Sequence, residues 1–318
     1  MRSSQELSAR PMSTQDISAG PRTIEIGNAD KVLFPDAGIT KADLADYYAR
    51  IADTMLPHLA GRPVTMQRFP DGISEDGFYQ KRAPDHFPDW IRRVSVEVEE
   101  RGEAQPQVVC DDAATLLYLV DQACVTPHVW LSRADALHHP DRLIFDLDPP
   151  SSDFAPVCFA ARRLRETLDT VGLISFVMTT GSQGAHVVVP LDGSATFDTV
   201  RTFAKDLADV VAARHPDRLT TAVRKNKRQG RLFLDYLRNA YAQNSVAPYA
   251  VRALPSAPVA TPLDWSELGG TPHAQTYTLN NIFRRMGQKT DPWSLIHEES
   301  SSLATPRKRL DNLRKDVN

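Results

Sequence analysis

One octapeptide constrains this chain more than any other stretch: Leu143-Ile144-Phe145-Asp146-Leu147-Asp148-Pro149-Pro150, an apolar β-like run ending in two aspartates one residue apart. Side chains alternate faces along a strand, so Asp146 and Asp148 project from one side while Leu147 points into the core. The two prolines then stop the strand. Hard divalent cations take carboxylate oxygens, and a pair of such ions about 4 Å apart serves in-line attack at phosphorus. An isolated Asp-x-Asp is equally a strand running into an acidic surface turn, so the rest of the chain has to decide.

The chain has 318 residues, which allows one large domain or two closely packed ones with an ample core. Its formal charge of −3 excludes a globally basic nucleic-acid binder but not a local basic groove. Between Arg214 and Arg238 such a groove is suggested by eight Lys or Arg residues set against only Asp217 and Asp235, a pattern shared by polyanion footprints and solvated charged loops. Cys110, Cys124 and Cys158 are odd in number and widely spaced, and read as reduced structural thiols. No apolar run approaches the ~20 residues that span a bilayer, and the N-terminus has no hydrophobic signal region, so a soluble, cytoplasmic protein is expected.

Residues 1–21 lack periodicity and are expected to form a disordered leader. Thr40 predicts a helix cap with Asp43 three residues on, followed by the apolar stripe Leu44, Tyr47, Tyr48, Ile51 and Met55, and Pro57 and Gly61 predict its end. Two more helices are predicted by Val157, Ala160, Ala161, Leu164 and Leu168, closing at Gly172, and by Val200, Phe203, Ala204, Leu207, Val210 and Val211. Strands are expected at 142–147, 173–179, 185–191 and 231–237, giving a β-α-β-turn-β-α-β order. A short helix is expected near 279–286, and residues 306–318 are expected to be frayed.

Three further segments surround the aspartates with compatible chemistry. Met178 to Leu191 reads as strand, glycine-containing turn and strand; its Thr180-Gly181-Ser182-Gln183-Gly184 turn can bring backbone N–H groups and hydroxyls to phosphate oxygens, with His186 able to donate to the same anion. Arg231 to Tyr236 alternates so that Asp235 is buried among strand residues, a costly position for a carboxylate unless paired or metal-bound, which makes it a candidate third ligand. Ala247 to Arg252 places an arginine at the end of a short strand, where it could grip a triphosphate.

Together with Asn28 to Leu33 and Phe233 to Asn239, these motifs resemble the polymerase domain of bacterial ligase D, within the archaeo-eukaryotic primase superfamily, over about residues 22–300. The resemblance implies an α/β fold with a primase-like, RRM-like catalytic core over about 136–305, packed against an N-terminal lobe over about 22–135. It implies that Asp146, Asp148 and Asp235 hold two Mn²⁺ or Mg²⁺ ions, and that His186 and His128 serve catalysis. The incoming nucleotide falls to the Thr180–Gly184 turn with His186, Arg228, Arg238 and Arg252. Lys31 and Lys41 match the positions that hold a 5′-phosphate across a DNA gap, Phe78 and Tyr79 the aromatic pair that stacks on template bases, and Arg68 a DNA contact.

The implied activity is template-directed nucleotidyl transfer, with ribonucleotides and Mn²⁺ preferred, to a 3′-hydroxyl at gapped, overhanging or recessed DNA; Ku and a separate ligase stay open as partners. The chain departs from the family where Gln183 replaces a phosphate-loop lysine and Gln67 a basic residue. It carries no Lys-x-Asp-Gly adenylation motif, so a free-standing polymerase is expected. A two-metal nuclease or phosphodiesterase, an Asp-x-Asp glycosyltransferase and a non-catalytic DNA-end-binding subunit are the competing readings. The first two give no reason for the arginines, and the third none for an intact set of acids.

Overall fold

The computed structural model describes residues 13–98, 103–149, 151 and 153–316. The chain opens with a hairpin of β1 (Thr14–Ala19) and β2 (Arg22–Gly27), a small pair β3 (Val32–Phe34) and β4 (Ile39–Thr40), and helix α1 (Lys41–Leu59). Next come β5 (Pro63–Arg68), β6 (Phe78–Gln80), β7 (Arg93–Val98), β8 (Glu103–Val109), α2 (Ala113–Asp121) and β9 (Cys124–Trp130). The second half runs β10 (Arg142–Asp148), α3 (Ala155–Val171), β11 (Phe176–Thr179), β12 (Ala185–Pro190), α4 (Phe197–Arg214), β13 (Leu219–Thr220) and β14 (Leu232–Asp235). It closes with β15 (Asn244–Val246), β16 (Thr261–Leu263), α5 (Ile282–Met286) and α6 (Ala304–Lys315).

Two six-stranded sheets organise this α/β fold. One has the order β15-β9-β5-β8-β7 with β6 also on β5; the other is β13-β14-β10-β12-β11-β16, antiparallel except for β13 beside β14. Strand β10 decides how the second sheet is used. Leu143, Phe145 and Leu147 pack with α3 and α4, whereas Ile144 joins the core of the first lobe. Asp146 and Asp148 share the face of Ile144, so the carboxylates look out from the helix-covered side toward the other sheet.

Local signals in the sequence explain the helices around this strand. Thr40 and Asp43 form a reciprocal capping box, with Asp43 N donating to Thr40 Oγ1 at 3.1 Å and Thr40 N to Asp43 Oδ2 at 2.8 Å. Such a cap contributes about 1 kcal/mol. The α1 stripe is buried as expected, and α3 ends on Gly172 in the left-handed region at φ 84°. Among the described residues no helix is long and apolar enough to cross a membrane.

Several expectations need correction. Residues 14–19 are a strand rather than part of a disordered leader, because the backbone bonds of the hairpin order a segment with few apolar side chains; residues 1–12 lie outside the described residues. The tail is helical through Lys315: Leu310 is buried, and Arg307 and Arg314 both bind Asp206. Pro57 lies inside α1, in its last turn, where the only bond lost is to the exposed residue Asp53. The lobes also do not part cleanly near residue 136, because β15 from the C-terminal half pairs with β9 in the first sheet.

Candidate active site

Asp146 sits between two strand neighbours, facing His186 of β12 on one side and Asp235 of β14 on the other. The three side chains therefore form one row across the sheet, and Asp148 joins them at the exposed end of β10. Asn239 fixes this strand from behind, accepting from Ile144 N at 2.8 Å and donating to Ile144 O at 2.7 Å. Asp146 is almost fully buried; its oxygens lie 3.4 Å from His186 Nε2 and 3.3 Å from Arg238 Nε.

Burial would raise the Asp146 pKa, but His186 and Arg238 more than offset it and hold the carboxyl below its usual range. Asp148 moves the other way, pushed up by desolvation in the cleft and by the charge of Asp146. Asp235 is likewise raised, by burial first and with Asp146 adding to it, although Leu237 N donates to Oδ1 at 2.7 Å. Among the described residues no three carboxylate, imidazole or thiolate groups converge closely enough to hold an ion as the side chains now stand. The donor set nevertheless fits a hard divalent cation: two carboxylates with raised pKa flank a third on a rigid sheet, and that excess negative charge would be relieved by a cation.

The turn after β11 is shaped by close approach. A Cβ on Gly184 would stand 2.0 Å from Leu147 O, and one on Gly181, at φ +66°, 2.8 Å from the Val259 carbonyl carbon. Only glycine fits at either place. Thr180 Oγ1 accepts from Ser182 N and Gly184 N, both at 3.3 Å, and Arg252 Nη1 donates to Thr180 O at 2.9 Å. Arg252 follows a turn rather than a short strand as expected; Val251 makes only an isolated bridge to Val259.

A cleft of about 470 Å³ is lined by Asp146, Asp148, Thr180, Ser182, His186, Arg238 and Arg252 from the second lobe, and by His128 and Tyr79 from the first. His128 is buried, with Nδ1 donating to Thr126 O at 3.3 Å; desolvation, with Arg252 nearby, pushes its pKa down to about 3, so the ring is neutral. The Nδ1 of His186 is buried without a protein partner among the described residues. Gln183 lines a neighbouring cleft of about 530 Å³ with Ser182, His273 and Gln275.

Apart from Tyr79, the other sequence candidates lie outside the lining of this cleft. Arg228 gives Nε and Nη2 to the Ala222 and Val223 carbonyls and lies over the Phe233 ring at 4.1 Å, acting on Asp235 only through its charge. Phe78 and Tyr79 are 46% and 58% exposed on β6, a rare display of aromatic surface, and Arg68 stands over Phe78 at 5.5 Å. Lys41 is buried, bonded to Gly27 O and Asp121 Oδ1, both at 2.7 Å. Lys31 is adjacent through Lys41 N to Lys31 O, but its ammonium binds Asp71 at 2.9 Å and the Pro70 carbonyl. Sequence reasoning missed Thr65, Lys81, Asn244, Ser245 and Val246 in the cleft lining; only Lys81 had a signal, a cation close behind the aromatic pair and just past the end of β6.

This geometry has close relatives. Residues 40–293 match the sequence model of the family described as LigD, primase-polymerase domain. The chain belongs to that family. The LigD primase-polymerase match is accompanied by 33% identity over 283 residues to the multifunctional non-homologous end joining DNA repair protein LigD of Mycobacterium tuberculosis, covering 86% of this chain and 37% of that protein. The bifunctional LigD of Bacillus subtilis is 30% identical, covering 85% of this chain and 43% of its own length. The chain thus spans well under half of the curated relatives it matches. Among solved structures, the polymerase domain from Mycobacterium tuberculosis ligase D in complex with DNA superposes with a TM-score of 0.81 at 31% identity, covering 87% of this chain and 99% of that one.

Proposed function

We propose that this LigD primase-polymerase domain is a nucleotidyltransferase of DNA repair that adds nucleotides, ribonucleotides by preference, to a 3′-hydroxyl at short gaps or broken ends. The observation that carries the reading is the cleft in which Asp146, Asp148 and His186 meet Thr180 and Ser182 of the glycine-shaped turn and Arg252, with Asp235 paired to Asp146 on the neighbouring strand. Two Mn²⁺ or Mg²⁺ ions held by Asp146, Asp148 and Asp235 would make the primer hydroxyl more acidic and neutralise charge on the triphosphate. The protein's own groups do the rest. His186 Nδ1, buried and unpartnered, donates to the triphosphate, Arg252 and the backbone of Thr180–Gly184 fix its position, and Arg238 leaves Asp146 to meet phosphate oxygens. Neutral His128 offers Nε2 as an acceptor inside the cleft.

Phe78 and Tyr79 supply sequence-tolerant stacking for template bases, with Arg68 beside them, and Lys31 and Lys41 hold a 5′-phosphate at the far side of a gap. Ku and a separate DNA ligase are the partners this reading calls for. A nuclease acting through the same acids would have no use for Arg252 and His186 beside the phosphate turn. The deciding experiment is extension of gapped, 5′-phosphorylated DNA with labelled nucleotide in Mn²⁺ and Mg²⁺. Template-matched incorporation is expected, whereas strand cleavage, or binding without incorporation, would overturn the reading.

A further inference from the structure

Arg252 reaches the phosphate turn from a segment whose backbone is under constraint. Tyr249, three residues earlier, is fully buried and has φ +65°. A bulky side chain rarely occupies that region, and it persists only where the surroundings over-determine it. Backbone bonds to the following segment, Tyr249 N to Ala260 O and Arg252 N to Pro258 O, both at 2.7 Å, are supplemented by side-chain bonds from distant elements. Tyr249 Oη donates to Asp291 Oδ1 at 2.7 Å, and Tyr249 O accepts from the Tyr47 hydroxyl of α1, also at 2.7 Å. The next residue of the helix adds Tyr48, whose oxygen accepts from Val251 N at 3.0 Å while its hydroxyl donates to Val125 O at 2.8 Å. Asp291 is itself held by His58 Nε2 at 2.7 Å and by Trp293 N at 3.0 Å. Neither Tyr249 nor Asp291 lines the active cleft.

We infer that the Tyr249–Asp291 hydrogen bond, braced by Tyr47 and Tyr48, is a positioning device for Arg252: it holds the left-handed turn that delivers the guanidinium to Thr180 O and hence to the triphosphate. The inference rests on the proposed role of Arg252 in nucleotide binding. Without the Tyr249 hydroxyl the strained turn loses an anchor and relaxes toward ordinary backbone, and the arginine withdraws from the phosphate turn while the acids of the other sheet strands stay in place. Nucleotide affinity then falls with little change in the chemical step.

The test uses steady-state extension of gapped DNA by the full chain carrying Tyr249→Phe, Asp291→Ala or Tyr47→Phe, the last serving should Tyr249→Phe fail to fold. Each variant is checked by circular dichroism and by anisotropy with the same DNA. The KM for nucleotide is expected to rise about five- to tenfold, the usual worth of one lost hydrogen bond. The kcat should stay within about twofold and DNA affinity should not change. In an Arg252→Ala background, Tyr249→Phe should raise KM no further, because both changes remove one interaction. Folded variants with wild-type KM, or a Tyr249→Phe effect that multiplies with that of Arg252→Ala, would overturn the inference. A wild-type chain that incorporates no nucleotide would instead overturn the proposed function, before any variant is made.

Discussion

The two places where this chain could meet phosphate are built in opposite ways. In the cleft, Arg252 gives one of its donors to a backbone carbonyl, and Arg238 leans on a carboxylate suited to a metal ion. At the start of α1, by contrast, Lys41 and Lys31 each bind an acid of their own, Asp121 and Asp71. A cation paired with a carbonyl keeps its whole charge for an incoming anion, whereas one neutralised by a carboxylate must share or change partners first. In the proposed nucleotide site Arg252 is therefore free to meet phosphate as it stands, whereas Arg238 and both lysines of the proposed DNA-end site must first change partners.

The largest expected effect tests the cleft side of this contrast. Asp146→Ala, Asp148→Ala or Asp235→Ala should lower extension about a thousandfold or more, the scale of several kcal/mol of transition-state stabilisation, with gapped-DNA binding retained. Near-normal incorporation by Asp235→Ala in saturating Mn²⁺ would remove that acid from the site. Next, Lys41→Met removes the cation of half-buried Asp121, which keeps the bond from Gly27 N at 2.9 Å, and should cost about 2 kcal/mol in urea unfolding. If it erased discrimination for a 5′-phosphate while stability held, Lys41 would be a ligand first and a structural cation second.

A smaller change is expected at Gln183, which faces the cleft adjoining the active one. Gln183→Lys should lower the nucleotide KM about tenfold, the worth of one charge-assisted bond, and an unchanged KM would mean that the triphosphate does not extend that way. Lys31→Ala should cut the preference for phosphorylated over hydroxyl ends several-fold at fixed ionic strength, since Lys31 is the more exposed of the pair. Equal affinities of the wild type for both ends would dissolve the comparison.

The smallest effect concerns acid. Burial would raise the carboxyl of Asp141, yet the bidentate bonds from buried Arg62, both 2.6 Å, hold it below the usual range. A depressed folded pKa contributes stability above the ordinary value of about 3.9 that is lost as pH falls through the folded one. Denaturation as a function of pH should show this loss in the wild type, and Asp141→Asn should lack that part of the slope.

Much of the cleft was legible because strand alternation is a strict rule: two acids spaced by one residue had to share a face, and the α1 cap and stripe announced themselves by residue type. The parts that stayed hidden depend on bonds between distant backbones. Nothing in Asn244-Ser245-Val246 marks a strand, since its pairing with β9 is made by main-chain groups. The β1 hairpin and α6 offered few apolar residues, and α6 is tied down by Arg307 and Arg314 on Asp206. Burial of Lys41 was also invisible, for its partner Asp121 lies eighty positions away.

Strand β15 carries a consequence for anyone who divides this chain. Its only neighbour among the described residues is β9, whose seven residues, Cys124–Trp130, are all buried. A fragment ending before Asn244 would uncover the His128–Trp130 end of this buried strand with unpaired N–H and C=O groups, the kind of edge on which chains add to one another. The first lobe alone should therefore come out of the cell as aggregate rather than as a small DNA-end binder, and three residues from the far half of the sequence act as its seal.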